Sequence, residues 1–327
     1  MPQNIPAWPD CLQPQTFSGP RSGLVRDFRY LQNNANLTPT WNQKSIITCL
    51  ATQWPVALTD CLNQLQQIMI PYMEVIALQS GSSGNCIYVE AGGMRLLFDA
   101  GISGIQAESR LADHGRNIRD IDALIISHDH RDHAVGMGIY QRKYGLPIYV
   151  TRATLAVAQQ KIRLGKMNDI RHFDAGSTFS VGDVQIQTIP TPHDAADGVV
   201  FVVDDGIHKV GILTDLGHAF DELDEILPQL DAVFIESNHD LEMLAGSFYP
   251  ESLKARIRSS QGHISNLDAA ELLQRAASPK LQWACLAHLS EESNTPELAI
   301  ETHRRLLGDR FPVYCASRDS ATPPLRL

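Results

Sequence analysis

Residues 127–133 read SHDHRDH: three histidines, two aspartates and an arginine in seven positions. Imidazole and carboxylate together are the ligand set for zinc or manganese. In extended chain, side chains two apart point the same way, so His128 and His130 converge where the apolar run IDALIIS ends. Asp132 and His133 follow at the expected turn into a helix, where a change of chain direction can bring them to the same centre. The acid content exceeds what one zinc site needs, which points to two metals. A solvated charge run is the poorer reading, because histidine is an uncommon choice for solubility.

Six further acids and imidazoles stand just past apolar, strand-like runs. They are Asp99 in LLFDAG, His193 in IPTPHD, Asp215 in GILTD, His239 in FIESNHD, His263 in SSQGHISN and His288 in ACLAHLS. Strand ends are where α/β proteins commonly place their chemistry, so all six could share one rim. His114, His172, His208 and His303 lack that context and read as surface or packing residues, and His218 is left open.

The elements that must position these residues are legible from period and caps. Strands are expected near 74–79, 85–91, 94–99, 122–127, 147–150, 183–190, 198–204, 207–214, 231–235, 281–287 and 312–315. Helices are expected near 104–114, 133–144, 152–164, 219–227, 251–259, 266–277 and 296–307. Asn266 is the expected cap of LDAAELLQRA, and Thr295-Pro296 opens ELAIETHRRLL. Hairpin-like strands precede strands that alternate with helices, which is a mixed α/β pattern. No internal repeat is evident, although a duplicated ββα layout would escape such a reading.

The chain changes character near residue 72. All twelve histidines lie beyond it, whereas Trp8, Trp41 and Trp54 precede it in a Gln-, Asn- and Pro-rich stretch. Residues 1–72 are expected to be a poorly ordered extension or an over-long start, with one short helix in TDCLNQLQQIMI. The folded domain is expected over 73–327.

The sequence has 327 residues, 43% hydrophobic and 20% charged, as in an ordinary soluble globular protein. A net charge of −10 removes any global basic footprint, though a local basic patch can still hold phosphates. Six cysteines without a CxxC pair form neither a disulfide framework nor a zinc ribbon. MPQNIPAWPD lacks the features of a secretory signal, and no apolar stretch is long enough to span a bilayer. A soluble, cytoplasmic protein is expected.

SHDHRDH resembles the HxHxDH signature of the metallo-β-lactamase superfamily, and the later motifs follow in that superfamily's order. The resemblance implies a four-layer αββα sandwich with a dinuclear site for Zn²⁺ or Mn²⁺. It implies that His128, His130 and His193 hold one metal and Asp132, His133 and His288 the other. Asp215 would bridge them, and Asp99 would orient ligands from behind. SGSSGNCIYVE, GMGIYQRKYGLPIYV, ESNHDLEML, YPESLKARI, GHISN and HLSEESN together resemble the YycJ (or WalJ) group of small bacterial metallo-hydrolases, over about 73–327. Serine at 127, where threonine is common, is a minor departure.

Two metals sharing a carboxylate can also share a hydroxide, a nucleophile suited to phosphodiesters. GHISN resembles the GHxS loop of phosphodiesterase relatives, which makes His263 the expected proton donor and Glu236 the residue that orients it. Asp132, His263 and Glu236 are therefore the expected catalytic set. The resemblance implies a 5′→3′ exonuclease with nucleic acid as partner, DNA rather than RNA. A small-molecule phosphodiesterase or an RNA-processing hydrolase is the alternative. Only residues 216–262 separate Asp215 from His263, too few for the inserted domain of some RNA-processing relatives. Lys254 and Arg258, on one helix face in SLKARIRS, could steer a phosphate backbone, or could be a solvated face.

Overall fold

The computed structural model describes residues 72–327. The expected extension (Tyr72 apart) and its short helix lie outside the described residues. In the first sheet, β1 (Glu74–Gln79), β2 (Cys86–Ala91) and β3 (Met94–Phe98) form an antiparallel meander. Onto β3 are added, all parallel, β4 (Ala123–Ile125), β5 (Ile148–Tyr149) and β6 (Ile170–Arg171). The second sheet begins with antiparallel β7 (Thr178–Val181), β8 (Val184–Pro190), β9 (Val199–Asp204) and β10 (Lys209–Leu213). It continues, parallel, through β11 (Ala232–Glu236), β12 (Trp283–Ala287) and β13 (Val313–Cys315). The last strand, β14 (Leu325–Arg326), returns to pair with β1.

Every residue of β1 is buried, because both of its faces are covered. Val75 and Ala77 pack toward the second sheet, and Ile76 and Leu78 toward helices. Phe98 and Phe201 meet across the inter-sheet core with ring centroids 5.1 Å apart. Truncating either ring to alanine would cost about 3–5 kcal/mol. Against the first sheet lie α1 (Gly104–Asp113), α2 (Arg131–Ala134), α3 (Met137–Tyr144) and α4 (Arg152–Lys161). Against the second lie α5 (Asp221–Ile226), α8 (Asn266–Ala276) and α9 (Pro296–Leu307). Two short helices, α6 (Leu241–Gly246) and α7 (Glu251–Ile257), complete the chain. The expected αββα sandwich is the observed fold. Among the described residues no helix is long and apolar enough to cross a membrane.

The sheets repeat one plan, which the sequence reading did not detect. Each passes from antiparallel to parallel pairing at one strand, β3 or β10. Past that strand comes an aspartate with a left-handed backbone, Asp99 (φ 64°) or Asp215 (φ 61°). Two residues on, Gly101 and Gly217 each press against backbone carbonyls, of Asp132 and of Pro192 and Ser260 respectively, where a Cβ could not fit. LFDAG and LTDLG are thus counterparts.

The helix expected over 133–144 is broken in two. Gly136 donates to the Ala100 carbonyl at 2.7 Å, and the chain bends there to follow the first sheet. Ser265, not Asn266, caps α8, accepting a hydrogen bond from the Asp268 amide. β6, β7, β14 and α6 were not expected. Most are too short to show a period, and β14 exists only through its long-range pairing with β1.

Candidate metal centre

His128, His130 and His193 bring their ring nitrogens together at the mouth of the sandwich. The three offer donor atoms within 4.8 Å of one another, as a metal triad would. Nδ1 of His128 bonds Ser127 Oγ at 2.9 Å, and Nδ1 of His193 bonds the Gly262 carbonyl at 3.0 Å. Those contacts turn both Nε2 atoms inward. His128 Nε2 is buried without a partner, and His193 Nε2 faces His130 Nδ1 at 3.3 Å. The alternation expected of the motif holds through Asp129, which points the opposite way. Fully buried, it takes a hydrogen bond from the Ala196 amide and pairs with Lys161 at 2.6 Å.

Asp132, His133 and His288 form a second group, and Asp215 joins His128 and His133 in a third that links the two. His133 is held from behind by Asp99, at 2.7 Å from its Nδ1, so that Nε2 turns toward Asp215 at 3.2 Å. His288 is held likewise by Glu236, at 2.9 Å, and its Nε2 faces Asp132 at 3.4 Å. The same Glu236 oxygen lies 2.8 Å from His263 Nδ1, while its other oxygen accepts the Leu216 amide at 2.6 Å. Like Asp99 and Asp215, His288 has positive φ, 53°. Such strain in non-glycine residues concentrates at functional sites.

The charges follow from these contacts. Burial pushes His128 well below the ordinary imidazole range, and His133 beside it adds to the effect. Burial also lowers His193. For His288 burial opposes the charge, but the Asp215 carboxylate and the bonds to Asp132 and Glu236 raise it to about 10. Burial opposes ionisation of Asp132 and Asp215, but the surrounding imidazoles, His133 foremost, hold both well below the carboxylate range. The result is a buried set of carboxylates and imidazoles in which burial holds His128 and His193 neutral, whereas the carboxylates around them, Asp215 foremost, hold His133 and His288 in the charged form. Asp215 Oδ2 and His128 Nε2 have no hydrogen-bond partner, and a divalent cation would satisfy both. The residues fit a metal.

The structure therefore brings together Asp99, His128, His130, Asp132, His133, His193, Asp215, Glu236, His263 and His288. His239 stays apart: its ring is in none of the donor groups, although its backbone pairs with the chain at Ser265 and Asn266. Lys254 corrects the expected basic strip. It is buried, donates to the Ala245 carbonyl at 2.9 Å and pairs with Glu251, so it cannot steer a phosphate. Arg258 is exposed. Arg256 instead reaches the site, gripping Asp194 through two bonds of 2.6 and 2.9 Å beside His130.

Other positioning residues were missed. Asn85 donates to Gly81, and its Nδ2 lies 2.9 Å from His133 Nε2. Ser80 Oγ accepts the His288 amide. Ser237, Asn266 and Asn294 form a buried hydrogen-bonded knot beneath the segments carrying Glu236, His263 and His288. Their signal lay in SGSSGN, GHISN and HLSEESN, which carried the resemblance but no chemistry of their own.

The fold and the donor set define a metal-binding hydrolase of the metallo-β-lactamase type. Residues 94–288 match the β-lactamase superfamily domain, and the chain belongs to that superfamily. Within it the chain is 38% identical, over 257 residues, to the exodeoxyribonuclease WalJ of Streptococcus pneumoniae serotype 2, covering 75% of this chain and 95% of that one. It is 35% identical over 222 residues to the exodeoxyribonuclease YycJ of Bacillus anthracis, covering 68% and 84%. It therefore belongs to the WalJ/YycJ group. Among solved structures, the metallo-β-lactamase fold protein YhfI of Bacillus subtilis superposes with a TM-score of 0.58, at 20% identity, over 77% of this chain and 99% of that one. That likeness concerns the fold.

Proposed function

We propose that this chain is a dinuclear, metal-dependent DNA exonuclease that digests from the 5′ end. The observation that carries the chemistry is the meeting of two donor groups at one buried carboxylate, Asp215. The substrate class rests on the relatives named exodeoxyribonuclease, one matched over 95% of its length.

His128, His130 and His193 would hold one divalent ion and Asp132, His133 and His288 the second, with Asp215 shared. Zn²⁺ and Mn²⁺ both suit this set. Bound ions would lower the pKa of water and neutralise charge on phosphoryl oxygens. The chain's own residues do the rest. Asp99 fixes the tautomer of His133, as Glu236 does for His288. Glu236 also occupies Nδ1 of His263, which leaves Nε2 as the proton donor to the departing oxygen. Arg258 is available to a backbone phosphate; Lys254 is not. Residues 73–327 form the catalytic domain, working in the cytoplasm.

The test is a time course on linear duplex DNA with Mn²⁺ or Zn²⁺. Each end is labelled in turn, RNA is run beside it, and Asp132→Ala is the control. The 5′ label should leave as mononucleotides, with no release by the variant. Cleavage of bis-p-nitrophenyl phosphate without any polymer cleavage would instead make the chain a small-molecule phosphodiesterase. Preference for RNA would make it an RNA-processing hydrolase.

A further inference from the structure

The helices α6 and α7 form a hairpin rooted in the site. At its base, Asn238 bonds the Ile264 carbonyl at 3.1 Å and Asp240 bonds Ser293 at 2.8 Å. On the returning limb, the Ile257 carbonyl accepts the His263 amide at 2.9 Å, and Arg256 grips Asp194 beside His130. Lys254 crosses from α7 to the Ala245 carbonyl and ties the limbs together. At the tip stands Phe248, fully exposed, between half-buried Ser247 and Tyr249. Nothing in the core requires a phenyl ring there.

We infer that Phe248 is a stacking platform for a base of the DNA strand whose end occupies the metal centre, an inference that rests on the exonuclease reading. At 1.5 Å per residue the seven residues of α7 span about 10 Å between the tip side and Ile257, whose carbonyl holds the His263 amide. That is roughly three stacked nucleotides at about 3.4 Å each. An exposed ring accepts any base face, so the contact adds affinity without sequence preference. A second copy of the chain is the weaker occupant. One side chain beside Ser247 and Glu251 offers far less than the roughly 1,200–2,000 Å² buried in a stable dimer.

The test compares the wild type, Phe248→Ala and Phe248→Trp on single-stranded oligodeoxynucleotides of two to ten residues. The wild-type KM should fall once the substrate is long enough to reach the tip, at about four nucleotides. Phe248→Ala should abolish that step and raise the KM for longer strands roughly tenfold, leaving bis-p-nitrophenyl phosphate kinetics unaltered; Phe248→Trp should restore it. Equilibrium binding of a 2-aminopurine oligonucleotide, read by quenching, tests the contact without turnover. Failure to cleave DNA would therefore refute the exonuclease reading separately. Equal KM and binding in the wild type and Phe248→Ala would overturn the inference. So would a shift from dimer to monomer on sedimentation of Phe248→Ala, which would assign the tip to self-association.

Discussion

Asp99→Asn acts chiefly on the orientation of one metal-facing histidine, His133. Asparagine matches aspartate in size and tolerates the left-handed φ of 64°, so the backbone has no reason to move. One Asp99 oxygen accepts the Ser127 amide at 2.8 Å, and the other meets His133 Nδ1 at 2.7 Å. Asparagine has a single acceptor oxygen. The Ser127 N–H is fixed in the chain and claims it, so the new amide N–H₂ faces His133. The imidazole answers by moving its proton to Nε2, which then presents N–H toward Asp215 and Asp132 instead of a lone pair. Loss of such an outer partner costs about 10- to 100-fold in metal affinity, or about 1.4–2.7 kcal/mol. Zinc titration with chelator competition should find one of two ions weakened by that factor, the ion of His128, His130 and His193 being spared. The metal-free fold should lose about 1.5–3 kcal/mol for the charged hydrogen bond. Two ions bound with wild-type affinity would refute the tautomer argument.

Three other expectations follow. His263→Ala should lower DNA hydrolysis about 10²- to 10⁴-fold yet spare bis-p-nitrophenyl phosphate, whose leaving group needs no proton; equal losses on both would remove His263 as the acid. Burial of His303 in α9 pushes its imidazole down to about 4, against an unfolded value near 6.5. As pH falls through that window the unfolded chain takes up the proton first, so stability drains away from pH 6.5 to 4, by about 3 kcal/mol in all. Urea denaturation of His303→Leu should show that slope flattened, and parallel pH profiles would count against it. Residues 73–327 produced alone should melt within about 2 °C of the full chain and keep its hydrolysis; an insoluble or inactive fragment would place essential contacts before Met73.

The chemistry was legible because the fold puts it where sequence is easiest to read. An apolar run that stops at a histidine or aspartate announces both a strand and its rim, and Asp99, His128, Asp215 and His288 all follow that rule. Contacts between distant segments carry no such mark. Asn85 and Ser80 reach the site across 47 and 208 positions, from a loop that reads only as a glycine turn. Lys254 was misread for a related reason: periodicity groups residues on one helix face without saying whether solvent or Ala245 lies opposite. Asn266 was misplaced by one position because Ser265 and Asn266 are both good caps. What decides between them is the knot that claims the Asn266 side chain.

Asp99 and Asp215 are the clearest case of one position with two uses. Both follow the strand where pairing turns parallel, both have left-handed φ, and both precede a glycine pressed on carbonyls. Local sequence alone would give them one role. Their surroundings separate them. Ser127 and His133 consume both oxygens of Asp99, so it can only hold and orient. The carboxylate of Asp215 lies between His133 and His288, and its Oδ2 is buried with no hydrogen bond. A buried, ionised oxygen faced only by an imidazole, His133 Nε2 at 3.2 Å, is costly unless a cation completes it. The duplicated scaffold thus supplies two equivalent aspartates, and the hydrogen bonds already taken decide that only Asp215 is free to bind.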